Sequence, residues 1–405
     1  MTLFWGRLFG FEKVQMHENW LVAATVASGV AVAVWLRARS RKVKFVSYSF
    51  SNLPANTLVV DSSHPTAMQL THHMKGSVQK QLCLSLSDQA DTSTGFILNV
   101  LANHPQLMDQ FDKVSANHFD IDSFVAVWCV INPTLALRYR DLLVELAVIG
   151  DFRELELVSP MQHQALRLAC WMNCEERQRF YEPFGSPIFS EDGEQGAHPK
   201  FDYFLTEFER VLSVVTVDDD GKLSGGEEVD QVLQSLSEIQ HSQSHPELGL
   251  VVMYLAQPGH YYALFSQSRL HDIVVSVYPN NRYEVEQKYT TMVDLTSRLV
   301  MPRVDMTKLA QHLSKIEPGW RADRINDSGP ILRLERDGHK VTKAERYGHP
   351  SHRPIFESKI PPQEFVRLVV SYFTFAYHQV QPGMHFEWAQ LHEFNNQLDW
   401  TNWRP

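Results

Sequence analysis

The chain has 405 residues, 44% hydrophobic and 21% charged, an ordinary globular balance with length for two packed domains. Of its 37 Lys and Arg, seven lie in residues 1–45 with two acids, a net of +5; the remainder sets 30 against 45 acids, a net of −15. So acidic a body argues against duplex nucleic acid as a partner, which needs clustered cations, and four cysteines without a CxxC pair give no disulfide framework.

Trp20 to Leu36 is a run of 17 residues without a charge, followed at once by Arg37, Arg39, Arg41, Lys42 and Lys44. Seventeen is the lower limit for a bilayer span, and a basic flank placed after the apolar run is not that of a cleavable signal. The pattern predicts one transmembrane helix at residues 20–36. The protein would then be single-pass, with its C-terminal part cytosolic, on the mitochondrial outer membrane or the endoplasmic reticulum. A buried helix of a soluble domain is the other reading. Residues 1–45 then form an anchor with its basic flank, 46–181 a first domain and 201–405 a second.

Asn56 to Asp61 reads as a buried strand ending in an acid, and Ser62-Ser63-His64-Pro65 as a turn in which Pro65 could open a helix. His72 and His73 are adjacent; on a helix they diverge by about 100°, so they read as surface or supporting groups. Asp91 or Thr92 suits a helix N-cap. Ser93 and Thr94 beside Gly95 could donate to a phosphate at that helix terminus, and capping explains them equally well.

Val114 to Asp122 reads as the central strand. Alternation would put His118, Asp120 and Asp122 on one face, with Phe119 and Ile121 turned to the core. One imidazole with two carboxylates suits a divalent cation; a half-buried edge strand facing water has the same pattern. Ser123 to Ile131 is apolar and reads as a buried helix, Asn132-Pro133 breaks it, and a second helix covers Thr134 to Ile149. Gly150-Asp151 ends that helix. Asp151 is then either a ligand or a helix-end acid. Strands alternating with helices predict an α/β layer on a mostly parallel sheet, with ligands beyond the carboxyl ends of its strands. Cys170 and Cys174, four apart on a helix, read as small core residues.

Residues 182–200 read as a boundary loop. Helices over Phe201–Val215, Glu228–Gln240 and Asp305–Ile316 follow, with strands over Leu248–Ala256, Ile273–Tyr278, Tyr283–Lys288 and Ile331–Glu335. The second domain is therefore α+β. Thr216 to Glu227 fits an EF-hand loop at positions 3, 5, 6, 8 and 12, but Thr replaces the Asp of position 1, and an acidic surface loop is the simpler reading. Arg282, Arg298 and Arg303 could meet a substrate phosphate, against the default of solvated surface Arg.

His118-Phe119-Asp120-Ile121-Asp122-Ser123 resembles the first motif of the DHH phosphoesterases, commonly His-x-Asp-x-Asp-Gly. Ala147-Val148-Ile149-Gly150-Asp151 is similar to their last motif, and Asp61-Ser62-Ser63-His64 to the Asp-His-His motif at a strand end. Asp91-Thr92-Ser93-Thr94-Gly95 is similar to the Ser-Thr segment that follows it. The resemblance spans roughly residues 57–155. The order of the motifs is permuted, Ser123 replaces a Gly, and the second half lacks the family's Gly-Gly-Gly-His loop. The whole also resembles an uncharacterised group with an Asn-His-Phe-Asp-x-Asp core.

The resemblance implies Mn²⁺ or Mg²⁺, as one ion or two, on His118, Asp120, Asp122 and Asp151. Asp61 and His64 would be catalytic, and Ser93, Thr94, Arg298 and Arg303 would bind a small phosphorylated substrate. It implies a membrane-anchored, metal-dependent hydrolase of a phosphate ester or short nucleotide. The alternative is a non-catalytic anchored scaffold on a degenerate hydrolase fold.

Overall fold

Leu58, Val59 and Val60 are apolar without interruption, the composition of a strand covered on both faces, and all three are fully buried. In the computed structural model they lie in β2 (Thr57–Val60), inside a four-stranded sheet with β1 (Lys44–Phe45), β3 (Met68–Leu70) and β4 (Lys113–Ser115). The order is β1-β4-β2-β3 and every pairing is parallel. The structure describes residues 43–73, 84–182, 186–187, 197–216, 223–325, 331–336, 351 and 353–405. The chain divides into Met1–Val43 and Lys44–Pro405, and all of the helices and strands named below belong to the second unit.

Helices α1 (Ser93–Asn103), α2 (Ile121–Ile131), α3 (Pro133–Arg138), α4 (Arg140–Phe152) and α5 (Pro160–Phe180) follow in this lobe. α2 is buried along almost its whole length, as its continuous apolar sequence requires. A two-residue antiparallel pair, β5 (Tyr181–Glu182) and β6 (Ser186–Pro187), comes after α5. Helix α6 (His198–Val215) packs Phe201, Phe204 and Phe208 against Phe119, Phe124 and Trp128, with ring centroids 5.0–6.3 Å apart.

After α7 (Gly226–Ser237) comes a six-stranded sheet. Its strands are β7 (Ile239–His245), β8 (Leu250–Leu255), β9 (Ile273–Tyr278), β10 (Arg282–Gln287), β11 (Trp320–Ala322) and β12 (Ile331–Leu334), in the order β11-β12-β10-β9-β8-β7. Only β8 and β9 pair parallel; the sheet is mixed. Asn280 and Asn281 take left-handed backbone angles in the β9–β10 turn, a role Asn tolerates. Val275, Val285 and Leu332 form a core with Phe365 and Tyr372 of a helix over Pro362–Ala376. The α/β first lobe with a parallel sheet thus agrees with expectation.

The expected transmembrane helix, and the single-pass membrane localisation built on it, is corrected. Among the described residues no helix is long and apolar enough to cross a membrane. Trp20–Leu36, rich in Ala, Gly and Val, falls short of the roughly 20 residues a span usually takes; it lies outside the described residues. The strand expected over Val114–Asp122 stops at Ser115, because Asp120 caps helix α2 instead of continuing the extended chain. The helix expected over Thr134–Ile149 is two, α3 and α4, broken at Tyr139. No helix follows Pro65; the chain enters β3 directly.

Candidate metal centre

Three neighbouring parallel strands end at one place. β2 delivers Asp61, β3 delivers His72 and His73, and β4 leads through Asn117 to His118 and Asp120. Helix α2 begins there with Asp122 in its first turn, and α4 closes there with Asp151 in its last. This is the position beyond the carboxyl ends of the strands, beside a change of strand order, where open α/β sheets hold ligands.

His72 is fully buried at the centre. Its Nδ1 lies 3.7 Å from Asp122 Oδ2, and its Nε2 lies 3.7 Å from Asp61 Oδ1 and 3.6 Å from Asp151 Oδ2. His73 Nε2 approaches Asp61 Oδ1 at 3.1 Å. On the half-exposed side, His118 Nε2 stands 3.1 Å from Asp120 Oδ2 and 3.4 Å from Asp61 Oδ2. Three groups therefore offer ligand atoms within 4.8 Å of one another: Asp61, His72 and His73; Asp61, His118 and Asp120; His72, Asp122 and Asp151. Asp61 and His72 each belong to two of them.

The neighbours hold these side chains in place. Asp61 sits at φ 49°, a left-handed conformation uncommon outside glycine, at the step from strand to turn. Ser93 Oγ donates to Asp61 Oδ1 at 2.7 Å and accepts the His72 N–H at 3.2 Å. The Ser93 and Thr94 N–H groups donate to the two Asp122 oxygens at 2.8 and 2.9 Å. The anion at the α1 N-terminus is thus the chain's own carboxylate. Ser93 and Thr94, predicted to bind substrate, are fully buried and orient the site's acids instead. Asn117 Oδ1 accepts from Ser62 Oγ at 2.9 Å and lies 2.6 Å from His118 Nδ1, which turns Nε2 of that ring toward the carboxylates.

Burial would raise Asp61, but His73, His118 and His72 outweigh it and hold the acid far below the carboxylate range. Burial and the neighbouring His73 push His72 down to about 3 against the pull of Asp61, so it is neutral at pH 7. Burial would lower His118; Asp120, Asp61 and Asp122 prevail and bring it to about 9. Asp122 and Asp151 are raised well above the carboxylate range by burial and by the other acids. Four acids share a pocket with too little positive charge, a deficit that a cation would fill.

Unpartnered atoms agree with this. Both ring nitrogens of His72 and Oδ2 of Asp151 are buried without a hydrogen-bond partner among the described residues, an arrangement rare in folded proteins. Ligand atoms about 2.1 Å from an octahedral cation lie about 3.0 Å apart when adjacent and about 4.2 Å when opposite. The 3.6–3.7 Å separations around His72 fall between those values. The buried Asp and His groups could hold a metal ion.

The remaining expected residues stand elsewhere. His64 clamps the short β2–β3 crossover, its Nδ1 accepting from Ala67 N at 2.9 Å and its Nε2 lying 3.2 Å from Ser49 O. Arg298 is half-buried against Glu154 at 2.8 Å and Asp272 at 3.0 Å, and buried Arg303 donates to Lys288 O at 2.6 Å. Arg282 donates to Pro279 O. Cys170 is core. Of the EF-hand-like stretch, residues 217–222 lie outside the described residues. The sequence reading missed His72, His73 and Asn117.

Residues 41–384 match the family described as "Family of unknown function (DUF6687)". The chain belongs to that family. The DUF6687 match takes in every residue of the three groups. No curated protein and no solved structure matches the chain.

Proposed function

We propose that the protein is a hydrolase of a phosphate ester or short nucleotide that depends on Mn²⁺ or Mg²⁺. The observation carrying this reading is His72, with both ring nitrogens unpartnered and buried among Asp61, Asp122 and Asp151. Oxygen-rich donor sets select hard divalent ions, and imidazoles shift preference toward Mn²⁺. Asp61 belongs to two of the groups, so it would help to hold an ion in either. When bound, such ions polarise a phosphoryl group and acidify an attacking water.

The chain's own residues supply the rest. Ser93 fixes the Asp61 carboxylate, the α1 N-terminus fixes Asp122, and Asn117 fixes His118. Half-exposed His118 and Asp120 form the face a substrate would meet. The likeness to DHH phosphoesterases adds support.

The test is elemental analysis of the full chain after Mn-replete expression, with turnover on a panel of phosphomonoesters and phosphodiesters. Stoichiometric Mn and a rate lost in Asp120→Ala support the reading. Protein that holds Mn but gives no rate above background would be a binding module on a hydrolase-like fold. Protein that holds no divalent metal removes the reading's basis.

A further inference from the structure

The three groups at the candidate centre are not alike, and two of them share no residue. His72, Asp122 and Asp151 form an inner group; Asp61, His118 and Asp120 form an outer one. The third, Asp61, His72 and His73, takes one residue from each, so it competes with them for ligands. The inner side chains are nearly closed to solvent, His72 and Asp122 at 0% exposure and Asp151 at 9%. In the outer group only Asp61 is buried; the side chains of His118 and Asp120 are 43% and 39% exposed.

Without an ion, the two groups differ in what they leave unmet. The outer group satisfies itself. His118 Nε2 and Asp120 Oδ2 are hydrogen-bonded at 3.1 Å, and His118 Nδ1 lies 2.6 Å from Asn117 Oδ1. Asp120 Oδ1 accepts from Ser123 N at 2.8 Å, and Asp61 Oδ1 accepts from Ser93 Oγ at 2.7 Å. An ion entering there has to part His118 from Asp120, and only the difference between the two sets of contacts favours it. In the inner group both ring nitrogens of His72 and Oδ2 of Asp151 have no hydrogen-bond partner among the described residues. An ion entering there breaks no hydrogen bond of these atoms and ends the cost of burying them unmet. Asp122 is already held for it by the N–H groups of Ser93 and Thr94.

We propose that the centre takes two divalent ions held unequally: a resident ion on His72, Asp122 and Asp151, and an exchangeable ion on Asp61, His118 and Asp120 whose occupancy follows the free Mn²⁺ concentration. Each group offers one imidazole and two carboxylates, the charge that one divalent ion balances, and disjoint ligand sets allow both to be filled at once. This rests on the metal-dependent reading and adds its regulation: the supply of Mn²⁺ sets how often the half-exposed face of the centre carries an ion.

The experiment is equilibrium dialysis of the full chain against graded Mn²⁺ alone, with bound metal counted by elemental analysis, for wild type, His118→Ala and Asp120→Asn. Asn keeps a capping oxygen for helix α2, so the second variant decides by the same readings if the first does not fold. Wild type is expected to bind two equivalents, the first about tenfold or more tightly than the second, the difference that one buried polar group left without a partner makes. Both variants are expected to keep the tight equivalent and to weaken the other about tenfold or lose it. Wild-type protein that binds no Mn²⁺ overturns the metal-dependent reading, and this inference with it. Wild-type protein that binds one equivalent, or two of equal affinity, overturns the unequal pair and leaves the metal-dependent reading standing. A variant that binds both equivalents as wild type does removes the outer ion from His118 and Asp120. A variant that loses the tight equivalent joins the two groups into one site. Either result also overturns the proposal.

Discussion

His72 Nε2 and Asp151 Oδ2 face each other at 3.6 Å, both buried and both without a hydrogen-bond partner. That gap is too long for a proton to be shared and suits two ligands of one cation. Two polar groups left in this state cost stability until something joins them.

The first prediction follows from that cost. Asp151 is raised well above the carboxylate range by burial and by Asp122, Asp120 and Asp61. In metal-free protein at pH 7, Asp151→Asn relieves this strain and raises the thermal midpoint by about 1 °C, the shift expected from roughly 1 kcal/mol in a chain of this size. The same variant loses the stabilisation that Mn²⁺ gives wild type, about 2.7 kcal/mol at a hundred times Kd. Thermal melts with Mn²⁺ and with chelator check both arms. A variant less stable than wild type without metal would show that the cost of burying Asp151 is offset by contacts within the fold.

Affinity for Mn²⁺ should rise with pH. His118 is brought to about 9, burial opposing and Asp120, Asp61 and Asp122 prevailing, so at pH 7 it carries a proton that a cation must displace. His72, at about 3, is already neutral and adds no such term. The expected slope is about one decade in affinity per pH unit or more between pH 6.5 and 8.5. Titrations at several pH values measure it, and His118→Ala should flatten it. A pH-independent affinity would mean that His118 is not displaced on binding.

Much of this centre is visible in the sequence, though not always for the right reason. Asp61 follows an uninterrupted apolar strand, and that pattern alone places it at a carboxyl end. His118, Asp120 and Asp122 do converge with Asp61 and Asp151, but strand alternation is not what brings them together. Asp120 accepts from Ser123 N at 2.8 Å as the cap of α2, and Asp122 rides on the first turn. An apolar run that can start a helix competes with one that can extend a strand, and here the capping pair Asp120 and Ser123 decides it. His72 and His73 were hidden because β3 has three residues, too few to show a period. Arg298 and Arg303 carry no sequence mark of their engagement; partners elsewhere in the chain hold both.

Gly150 sets two effects against each other. A Gly-to-Ala change inside a helix usually favours folding by about 1 kcal/mol. A Cβ at Gly150, however, would stand 2.4 Å from Ile121 Cβ and 2.7 Å from Ile121 Cγ2, atoms close to the α2 backbone that cannot swing away. Overpacking of this kind costs about 1–3 kcal/mol, so Gly150→Ala should destabilise. Ile121 lies between Asp120 and Asp122, and Gly150 precedes Asp151, so Mn²⁺ affinity should fall with stability. Denaturant titration of Gly150→Ala, Ile121→Ala and the double variant checks this: the two losses should be less than additive, because removing Ile121 Cγ2 and Cδ1 relieves the contacts at 2.7 and 3.3 Å while the Cβ contact at 2.4 Å stays. Strict additivity would show that the helices do not meet there.

Asp88 supplies a pH effect remote from the metal centre. Its carboxylate is buried and accepts from Ser85 N at 3.0 Å, Ser85 Oγ at 2.8 Å and Asn103 Nδ2 at 2.9 Å, with His104 Nε2 at 3.0 Å. Burial alone would raise it, yet these donors hold it at about 2 against an ordinary 3.8. Because the folded value lies below the unfolded one, the stabilisation is fully present above about pH 4 and is lost as pH falls through about 2. Asn cannot replace it, since its amide turns a donor toward groups that are themselves donors. Asp88→Asn should therefore cost about 2 kcal/mol at pH 7, and the difference from wild type should shrink steadily between pH 4.5 and 2. Paired urea titrations across that range read the difference directly, so other acids titrating in the same window cancel. A gap that stays constant down to pH 2.5 would mean that the Asp88 carboxyl is already protonated in the fold, with its four contacts contributing by shape alone.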